Sequence, residues 1–311
     1  MKTIIHTKAR AGTNKTSFTN PVFGYYDEIK NYYSVAGPDY AAWSKKFNMH
    51  FGYCSSFTGI FNLENMLDNM NSIVAGHLHI NKHECCSIAD LGCGMGTTAR
   101  YIAGKFPDAK VTGVSIVDYQ VEQGSLFTRQ AGLAERVLHV KENFEDLSFA
   151  DESFEYAYAL ESACHAGGHD KELFIHELAR ILKQGGRFVI ADGFLKKESD
   201  QLPMMAKKIY KKLIACWALP GFATIADFTR TLNQYGLEAQ VKEISWRIAP
   251  SVMHVPRVVL QFLWNELKQH KTLRMKKERW NNVMGPLLGM LFGLYRNCFG
   301  YYIISGKKIK S

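Results

Sequence analysis

The feature that most constrains the fold of this chain is a glycine-rich turn between an apolar strand and a helix. The turn lies in the segment CCSIADLGCGMGTTARYIAGKF and contains Asp90, Gly92, Gly94 and Gly96. Glycine lets the backbone turn tightly and lets a ligand lie against it, because no side chain intervenes. Open α/β sheets bind ligands at the carboxyl ends of their strands, where this turn falls. Its G-x-G-x-G spacing differs from the dinucleotide fingerprint, and Asp90 would repel a pyrophosphate. Both facts point away from NAD.

Strand and helix patterns alternate after this turn. AKVTGVSI, VLHVKE, FEYAYALES and GRFVIADGF have the composition of buried strands, and KELFIHELARILK has helical periodicity. Such alternation predicts a parallel sheet covered by helices on both faces. The predicted organisation is a loosely held leader at 1–20, an N-terminal helical lid at 21–80, an α/β core at 81–195, a helical cap insert at 196–240, and C-terminal strands and helices at 241–311.

Composition limits the function classes. The net charge of +9 comes mostly from basic runs in the C-terminal third, such as KQHKTLRMKKER. We interpret these runs as solvated helix faces and tails, with a membrane surface or an anionic substrate as alternatives. Seven cysteines without framework spacing, and no apolar signal segment, favour a reducing cytoplasm. No cysteine or histidine spacing indicates a metal site.

The apolar segment from Met284 to Ile304 raises the question of a membrane span. Glycines, a proline, Arg296 and Asn297 interrupt it, which disfavours a spanning helix. We predict a helix packed against the insert, followed by a terminal strand, YYIISGKK. A surface-lying amphipathic element, and with it peripheral membrane contact through this apolar and basic segment, is the alternative.

Asp90 to Gly96 resembles motif I of the class I S-adenosylmethionine (SAM) dependent methyltransferases. GVSIVDYQ, NFEDLSFADESFEYAYALES and ILKQGGRF follow in the order and spacing of that family, so the resemblance covers about residues 60–195. Outside it, NMHFGYC, ALESACHA and ISWRIAPSVMHVP are similar to the tocopherol, sterol and prenyl-diphosphate methyltransferases. The resemblance implies a Rossmann-like fold with a mostly parallel seven-stranded sheet. It also implies SAM as the cofactor and S-adenosyl-L-homocysteine as its product.

The resemblance implies a set of SAM-binding residues, which differ from the family pattern in two places. Ser115 stands where many members end the second strand with an acid, so Gln120 is expected to take over the ribose or carboxylate contact. Asp118 is either a further ribose ligand or only a helix-start residue. An Asn stands at the adenine position, and its carbonyl oxygen can still accept from the exocyclic amine. The predicted cofactor-binding residues are Asp90, Gly92, Cys93, Gly94, Ser115, Ile116, Gln120, Asn143, Phe144 and Glu161.

Glu161, His165 and His50 are the predicted catalytic residues. Glu161 ends an apolar strand over the expected methyl position, where a buried carboxylate needs a partner. In the related C-methyltransferases an acid here balances positive charge on the acceptor or removes its proton. Alternatively, Glu161 bonds only to backbone or to the SAM amino group. His165 acts as base, orients the acceptor, or caps the next helix, and His169 belongs to that helix start.

Aromatic side chains are the candidates for binding an acceptor, although many aromatic residues serve only as core. The predicted substrate-binding residues are Tyr25, Tyr26, Tyr53, Trp217 and Trp246. The predicted function is methyl transfer from SAM to a hydrophobic small molecule, such as a prenylated phenol or quinol, an isoprenoid or a sterol, with C-methylation preferred.

Two other functions stay open as alternatives, and a third is disfavoured. The alternative enzyme is an N- or O-methyltransferase of a secondary metabolite, and a non-catalytic SAM-binding protein is a third class. A nucleic-acid methyltransferase is disfavoured, because LESACH lacks the Asn/Asp-Pro-Pro-aromatic element that grips a flipped base.

Overall fold

A seven-stranded sheet forms the centre of the molecule in the computed structural model, which describes residues 24–309. The predicted leader at 1–20 lies outside the described residues. The strands are β1 Ser87–Leu91, β2 Lys110–Ser115, β3 Val137–Lys141, β4 Phe154–Leu160, β5 Leu182–Leu195, β6 Leu237–Glu243 and β7 Phe299–Lys308. Their order across the sheet is β3-β2-β1-β4-β5-β7-β6. Only β7 runs antiparallel, between β5 and β6, so the predicted fold class is confirmed.

Ten α-helices accompany the sheet in residues 24–309. They are α1 Tyr25–Ala36, α2 Leu63–Leu78, α3 Thr97–Lys105, α4 Asp118–Gln130, α5 Glu172–Ile181, α6 Met204–Cys216, α7 Ile225–Gln234, α8 Ser245–Val252, α9 Val255–His270 and α10 Lys277–Gly293. Two apolar layers cover the sheet. Phe174 of α5 and Phe228 of α7 lie in one layer, and Met70 of α2 and Ile102 of α3 lie in the other. Strands buried on both faces need such layers on each side.

The N-terminal segment is tied to the C-terminal helix α10. The Tyr32 hydroxyl donates to Asn282 Oδ1 at 3.1 Å. Arg279 of α10 donates to both carboxylate oxygens of Asp39 and also pairs with Glu266 of α9. Bidentate arginine–carboxylate pairs fix geometry as well as charge. Residues far apart in the chain are therefore held together on the side of the carboxyl strand ends.

The region predicted as a cap insert at 196–240 contains two helices with different roles. Helix α6 packs with Phe292 of α10, the helix that precedes the terminal strand. Helix α7 instead buries Phe228 and Leu232 in the core layer beside α5. The bridge between Leu195 and Thr224 returns the chain to the sheet before α7 begins. Residues from Thr224 onward therefore belong to the α/β core, which corrects the predicted boundary.

Strand β6 ends at Glu243, and α8 begins at Ser245. The Tyr301 amide donates to Ser245 Oγ at 2.9 Å, where a continued strand would offer a backbone carbonyl. A serine side chain that replaces a ladder acceptor favours the start of a helix. No helix of the described residues is long and apolar enough to cross a membrane.

Candidate functional site

The glycine turn follows β1 and has a conformation that other residues rarely adopt. Gly92, Gly94 and Gly96 have φ of 89°, 51° and 72°. A β-carbon at Gly92 would lie 2.3 Å from Ser162 Cβ, and one at Gly96 would lie 2.0 Å from His139 Cε1. Both the left-handed backbone and the lack of space require glycine here. The turn therefore brings the backbone close to its neighbours at the carboxyl end of β1.

A cavity opens above this turn, and we call it the glycine-turn cavity. Its empty volume, including the mouth, is about 850 Å³. All the residues predicted to bind a cofactor lie on its wall, namely Asp90, Gly92, Cys93, Gly94, Ser115, Ile116, Gln120, Asn143, Phe144 and Glu161. The carboxyl ends of β1, β2, β3 and β4 thus bring together residues as far apart in the sequence as Asp90 and Glu161.

Asp90 is the buried acid of the glycine-turn cavity. The Tyr158 hydroxyl donates to its Oδ2 at 2.7 Å. Burial raises the pKa of Asp90 to about 7, although the bond from Tyr158 opposes the shift. A cationic ligand nearby would favour the ionised form of this carboxyl.

Ser115 and Gln120 form a polar pair after β2. Ser115 Oγ donates to Gln120 Oε1 at 2.7 Å and accepts from the Val117 amide at 3.1 Å. Asp118 lies outside the cavity wall. It is the first residue of α4 and pairs with Lys141 at 2.6 Å on the surface. Its position fits the helix-start alternative, and Gln120 is the residue that faces the cavity.

A second and larger cavity adjoins the first, and we call it the apolar cavity. Its empty volume, again including the mouth, is about 2020 Å³. Helices α6, α8, α9 and α10 supply a large part of its wall, with side chains such as Leu213, Ile248, Phe262 and Met290. Trp217 and Trp246, predicted to bind substrate, both line it. A cavity of this size and lining suits a hydrophobic small molecule.

The two cavities meet at five residues, which we call the junction. These are Tyr33, Met49, His50, Glu161 and His165. The three predicted catalytic side chains therefore lie together between the cavities, although they come from the loop before α2 and from the segment after β4.

Glu161 occupies the junction in a left-handed conformation, with φ of 51°. Its Oε1 accepts from the Phe51 amide at 2.7 Å and from the Tyr301 hydroxyl at 2.8 Å. No hydrogen bond to Oε2 is made within residues 24–309, which leaves that oxygen for a ligand. Burial raises the pKa of Glu161 to about 8, and Asp192 adds to the increase. A carboxyl with a pKa near neutrality can both hold and release a proton.

Asp192 and Tyr301 are site residues that the sequence analysis missed. Asp192 lies in β5 and lines the apolar cavity, where it accepts from the backbone amides of Cys164 and Gly193 at 2.9 and 2.7 Å. Burial raises its pKa to about 6. An acid inside the apolar strand GRFVIADGF was the available signal for Asp192. Tyr301 carried no such signal, because β7 enters the sheet from the far end of the chain.

The two histidines of the junction are poor proton acceptors. Burial lowers the pKa of His165 to about 3 and that of His50 to about 4. His165 Nε2 lies 2.9 Å from the Tyr33 hydroxyl, and both ring nitrogens of His50 lie within 3.1 Å of protein oxygen atoms. Lys171 is the residue at the cap of α5, so the capping alternative for His165 is wrong. The geometry favours orienting roles over proton transfer for both histidines.

Three of the predicted substrate-binding residues lie away from the apolar cavity. Tyr26 lines the glycine-turn cavity and donates to Glu145 at 2.8 Å. The Tyr25 hydroxyl donates to the His165 carbonyl at 2.8 Å and lines neither cavity. Tyr53 packs against the core layer beneath α2, because its amide bonds to the Met66 carbonyl and turns the chain inward. The aromatic pattern alone did not distinguish wall from core.

His169 lies on the surface outside both cavities. Its Nε2 lies 2.8 Å from Glu198 Oε2, and Asp227 is near. Asp227 also pairs with Arg230 and bonds to Thr224 at the start of α7. The cluster therefore has a structural explanation as a helix-start and loop contact.

Comparisons with known proteins agree with this geometry. A family described as "Methyltransferase domain" matches residues 89–190. The methyltransferase phqN of Penicillium fellutanum is 35% identical over 159 residues, which are 51% of this chain and 48% of that protein. The sterol 24-C-methyltransferase of Eremothecium gossypii is 28% identical over 222 residues, which are 70% of this chain and 56% of that protein. The chain thus spans about half the length of the curated relatives it matches.

A solved structure extends the likeness to nearly the whole fold. The geranyl diphosphate C-methyltransferase of Streptomyces coelicolor A3(2), solved with Mg²⁺, geranyl diphosphate and S-adenosyl-L-homocysteine, superposes with a TM-score of 0.69 at 16% identity. The superposition covers 93% of this chain and 99% of that one. Residues 89–190 of this chain are therefore a methyltransferase domain, set within the Rossmann-like fold of the class I methyltransferases.

Proposed function

We propose that this chain transfers a methyl group from SAM to a hydrophobic, isoprenoid-like small molecule, with carbon as the preferred methylated atom. The observation that carries the proposal is the junction, where Glu161 lies between a cavity built on the glycine turn and a larger apolar cavity. A transferase of this kind needs two binding sites that meet at the reacting atom.

The glycine-turn cavity has the chemistry that SAM requires. Asp90, Gln120 and Asn143 offer carboxyl and amide groups to the amino acid, ribose and adenine parts. Ile116 and Phe144 offer apolar surface for a flat base. When bound, SAM supplies a methyl group on a positively charged sulfur, which leaves as the neutral thioether of S-adenosyl-L-homocysteine.

Glu161 is the proposed base or charge stabiliser. When a carbon acceptor gains a methyl group, it must lose a proton, and the ionised Oε2 of Glu161 can take that proton. The bonds from Phe51 and Tyr301 hold Oε1 fixed, so the carboxylate cannot rotate freely. The positive charge that develops on the acceptor would also be stabilised by Glu161, because the burial that raises its pKa also limits screening by water.

The acceptor class follows from the wall of the apolar cavity. Its side chains are mostly aliphatic and aromatic, and the carboxyls Glu161 and Asp192 lie among them. A molecule with a long apolar body and one reactive end fits this distribution. The sterol and geranyl diphosphate methyltransferases named above act on isoprenoid compounds, which supports a prenylated quinol, isoprenoid or sterol-like acceptor here.

N-methylation is a second candidate, and one observation favours it. Glu161 and Asp192 both line the apolar cavity, and two carboxyls would attract an ammonium group. An amine must still be deprotonated before it attacks, so Glu161 would keep the role of base.

The proposal is tested by incubating the protein with SAM labelled in its methyl group and with cell extract separated into lipid and polar phases. We expect label in an organic-soluble product. Label confined to polar products would contradict the isoprenoid-like acceptor and favour an amine or small phenol. A chain that does not bind SAM in calorimetry would contradict the proposal as a whole.

A further inference from the structure

Helix α9 is apolar on two opposite sides. Val255, Val258, Val259 and Phe262 line the apolar cavity on its inner side. Leu260, Trp264 and Leu267 are 69%, 58% and 41% exposed. Their spacing of four and three residues places them on one face, which we call the α9 outer face. A helix at the surface of a water-soluble domain normally turns polar residues outward.

The mouth of the apolar cavity has exposed apolar residues of its own. Trp246 of α8, Met253 before α9 and Leu294 after α10 line the cavity and are also at least 70% exposed. Side chains that both line a cavity and face solvent mark its rim. Trp246 and Met253 come shortly before α9 in the chain, whereas Leu294 follows the next helix, α10.

Basic residues flank the α9 outer face. Residues 253–277 contain six exposed cations, which are Arg257, Lys268, Lys271, Arg274, Lys276 and Lys277. The single acid in that range, Glu266, is buried and paired with Arg279. The Lys268 ammonium lies 5.3 Å from the centre of the Trp264 ring. Apolar and aromatic side chains beside unpaired cations are the composition that binds an anionic lipid surface.

We propose that the α9 outer face docks on a lipid bilayer bearing anionic headgroups, and that the rim at Trp246, Met253 and Leu294 then faces the lipid. The second clause rests on the proposed function, since it gives a lipid-dissolved acceptor a direct path into the apolar cavity. A second copy of the chain is the less suitable occupant. A two-fold dimer would place the same six cations opposite each other, and like charges repel.

The α9 outer face is separate from both cavities. Leu260 and Trp264 line neither cavity, so changing them leaves the junction and the glycine-turn cavity intact. Leu138 on β3 is 58% exposed at the far edge of the sheet, which makes it the matched control.

The test is sedimentation of the full chain with large unilamellar vesicles of phosphatidylcholine, with and without phosphatidylserine. We expect binding that needs phosphatidylserine and weakens at high salt. Leu260→Asp and Trp264→Glu should each reduce the partition coefficient about tenfold or more, since each places a carboxylate where an apolar group meets the bilayer. Leu138→Asp should bind like wild type.

Vesicle binding can be judged independently of methyl transfer, because SAM affinity and stability are measured separately. SAM affinity and thermal unfolding midpoint, measured on each variant, should equal those of wild type. Equal vesicle binding by wild type, Leu260→Asp and Trp264→Glu would overturn the proposal, whatever the enzyme assay gives. A wild-type dimer in sedimentation velocity that Leu260→Asp dissociates would also overturn it, because the outer face would then bind a second copy.

Discussion

The glycine-turn cavity and the apolar cavity meet at one carboxyl but are built in different ways. The wall of the first comes from the carboxyl ends of adjacent parallel strands and the turns that follow them, with residues 47–50 as a cover. The wall of the second comes from separated segments between Tyr33 and Tyr301, among them helices α6, α8, α9 and α10. A sheet fixes the spacing of its strand ends, whereas helices α6, α8, α9 and α10 are placed by side-chain packing and by side-chain bonds such as those of Arg279.

The chemistry is also divided between the two cavities. In the glycine-turn cavity, polar groups such as Asp90, Ser115 and Gln120 bond to protein partners that hold them in place. The apolar cavity owes its shape mainly to side chains that cannot hydrogen-bond. The comparison indicates that the first cavity provides a fixed recognition site, and that the second provides selectivity through shape. Substitutions in each should therefore affect different kinetic constants.

The largest expected effect comes from Glu161→Gln, which acts where the two cavities meet. The amide keeps the shape but cannot take a proton, so turnover should fall about 1000-fold while SAM affinity changes little. Wild-type turnover should rise as pH increases toward 8, because the base must be ionised and burial raises its pKa to about 8. A stopped assay over pH 6 to 9 measures both. Turnover by Glu161→Gln equal to that of wild type would show that Glu161 only binds.

Glu161→Gln should lower turnover but raise stability at high pH. The folded-state pKa of Glu161 lies above its unfolded value, so its contribution to stability is complete at low pH and is lost as pH rises through about 8. Gln cannot ionise. Glu161→Gln should therefore unfold at a higher temperature than wild type at pH 9, and the difference should shrink at pH 6. Calorimetry at both pH values measures how the difference in unfolding temperature depends on pH.

Gly92→Ala should distort the turn on which the glycine-turn cavity is built. Its β-carbon would lie 2.3 Å from Ser162 Cβ, and the backbone has φ of 89°. We expect the free energy of unfolding to fall by about 2–4 kcal/mol, through strain and overpacking. Gly104→Ala is the control, because a β-carbon there, in α3, meets nothing within 4 Å. Urea unfolding of both variants checks the difference, and equal midpoints would contradict the required close approach.

Trp217→Ala should change binding in the apolar cavity and leave the glycine-turn cavity unaffected. The Trp217 ring lies against Gly285 and Gly289 of α10, where a β-carbon at Gly285 would lie 2.3 Å from Nε1. Removing the ring enlarges the cavity and removes apolar contact, so KM for the acceptor found in the extract experiment should rise about tenfold. SAM affinity should stay unchanged in calorimetry. A matching loss of SAM affinity would show that the two cavities are coupled rather than separate.

How far the sequence predicted each cavity follows from how each is built. Ser115, Gln120 and Glu161 were predicted to share one site from the family resemblance, and they lie on one cavity because parallel strands end at one edge of the sheet. Strand β7 was predicted as a terminal strand, but its place between β5 and β6 was not. Tyr301 therefore could not be assigned to Glu161, which precedes it by 140 residues.

The wall of the apolar cavity could not be predicted from the types of its residues. Tyr53 and Trp217 have similar aromatic character, yet Tyr53 enters the core beneath α2 and Trp217 lines the apolar cavity. Neither residue lies within a helix, so helical periodicity does not describe them, and aromatic character does not indicate whether a side chain faces core or cavity. The predicted cap insert failed at α7, because its apolar face packs on the sheet.

The smallest expected effect is a difference in SAM affinity between variants of two nearby residues, Gln120 and Asp118. Gln120 is buried and lines the glycine-turn cavity, whereas Asp118, two residues earlier, pairs with Lys141 in solvent. Gln120→Ala should weaken SAM binding about fivefold through loss of a hydrogen bond. Asp118→Ala should leave it within about twofold, because exposed ion pairs contribute little. Calorimetric titration with SAM compares the two. The reverse order would place the ribose contact on the helix-start acid, two residues before Gln120.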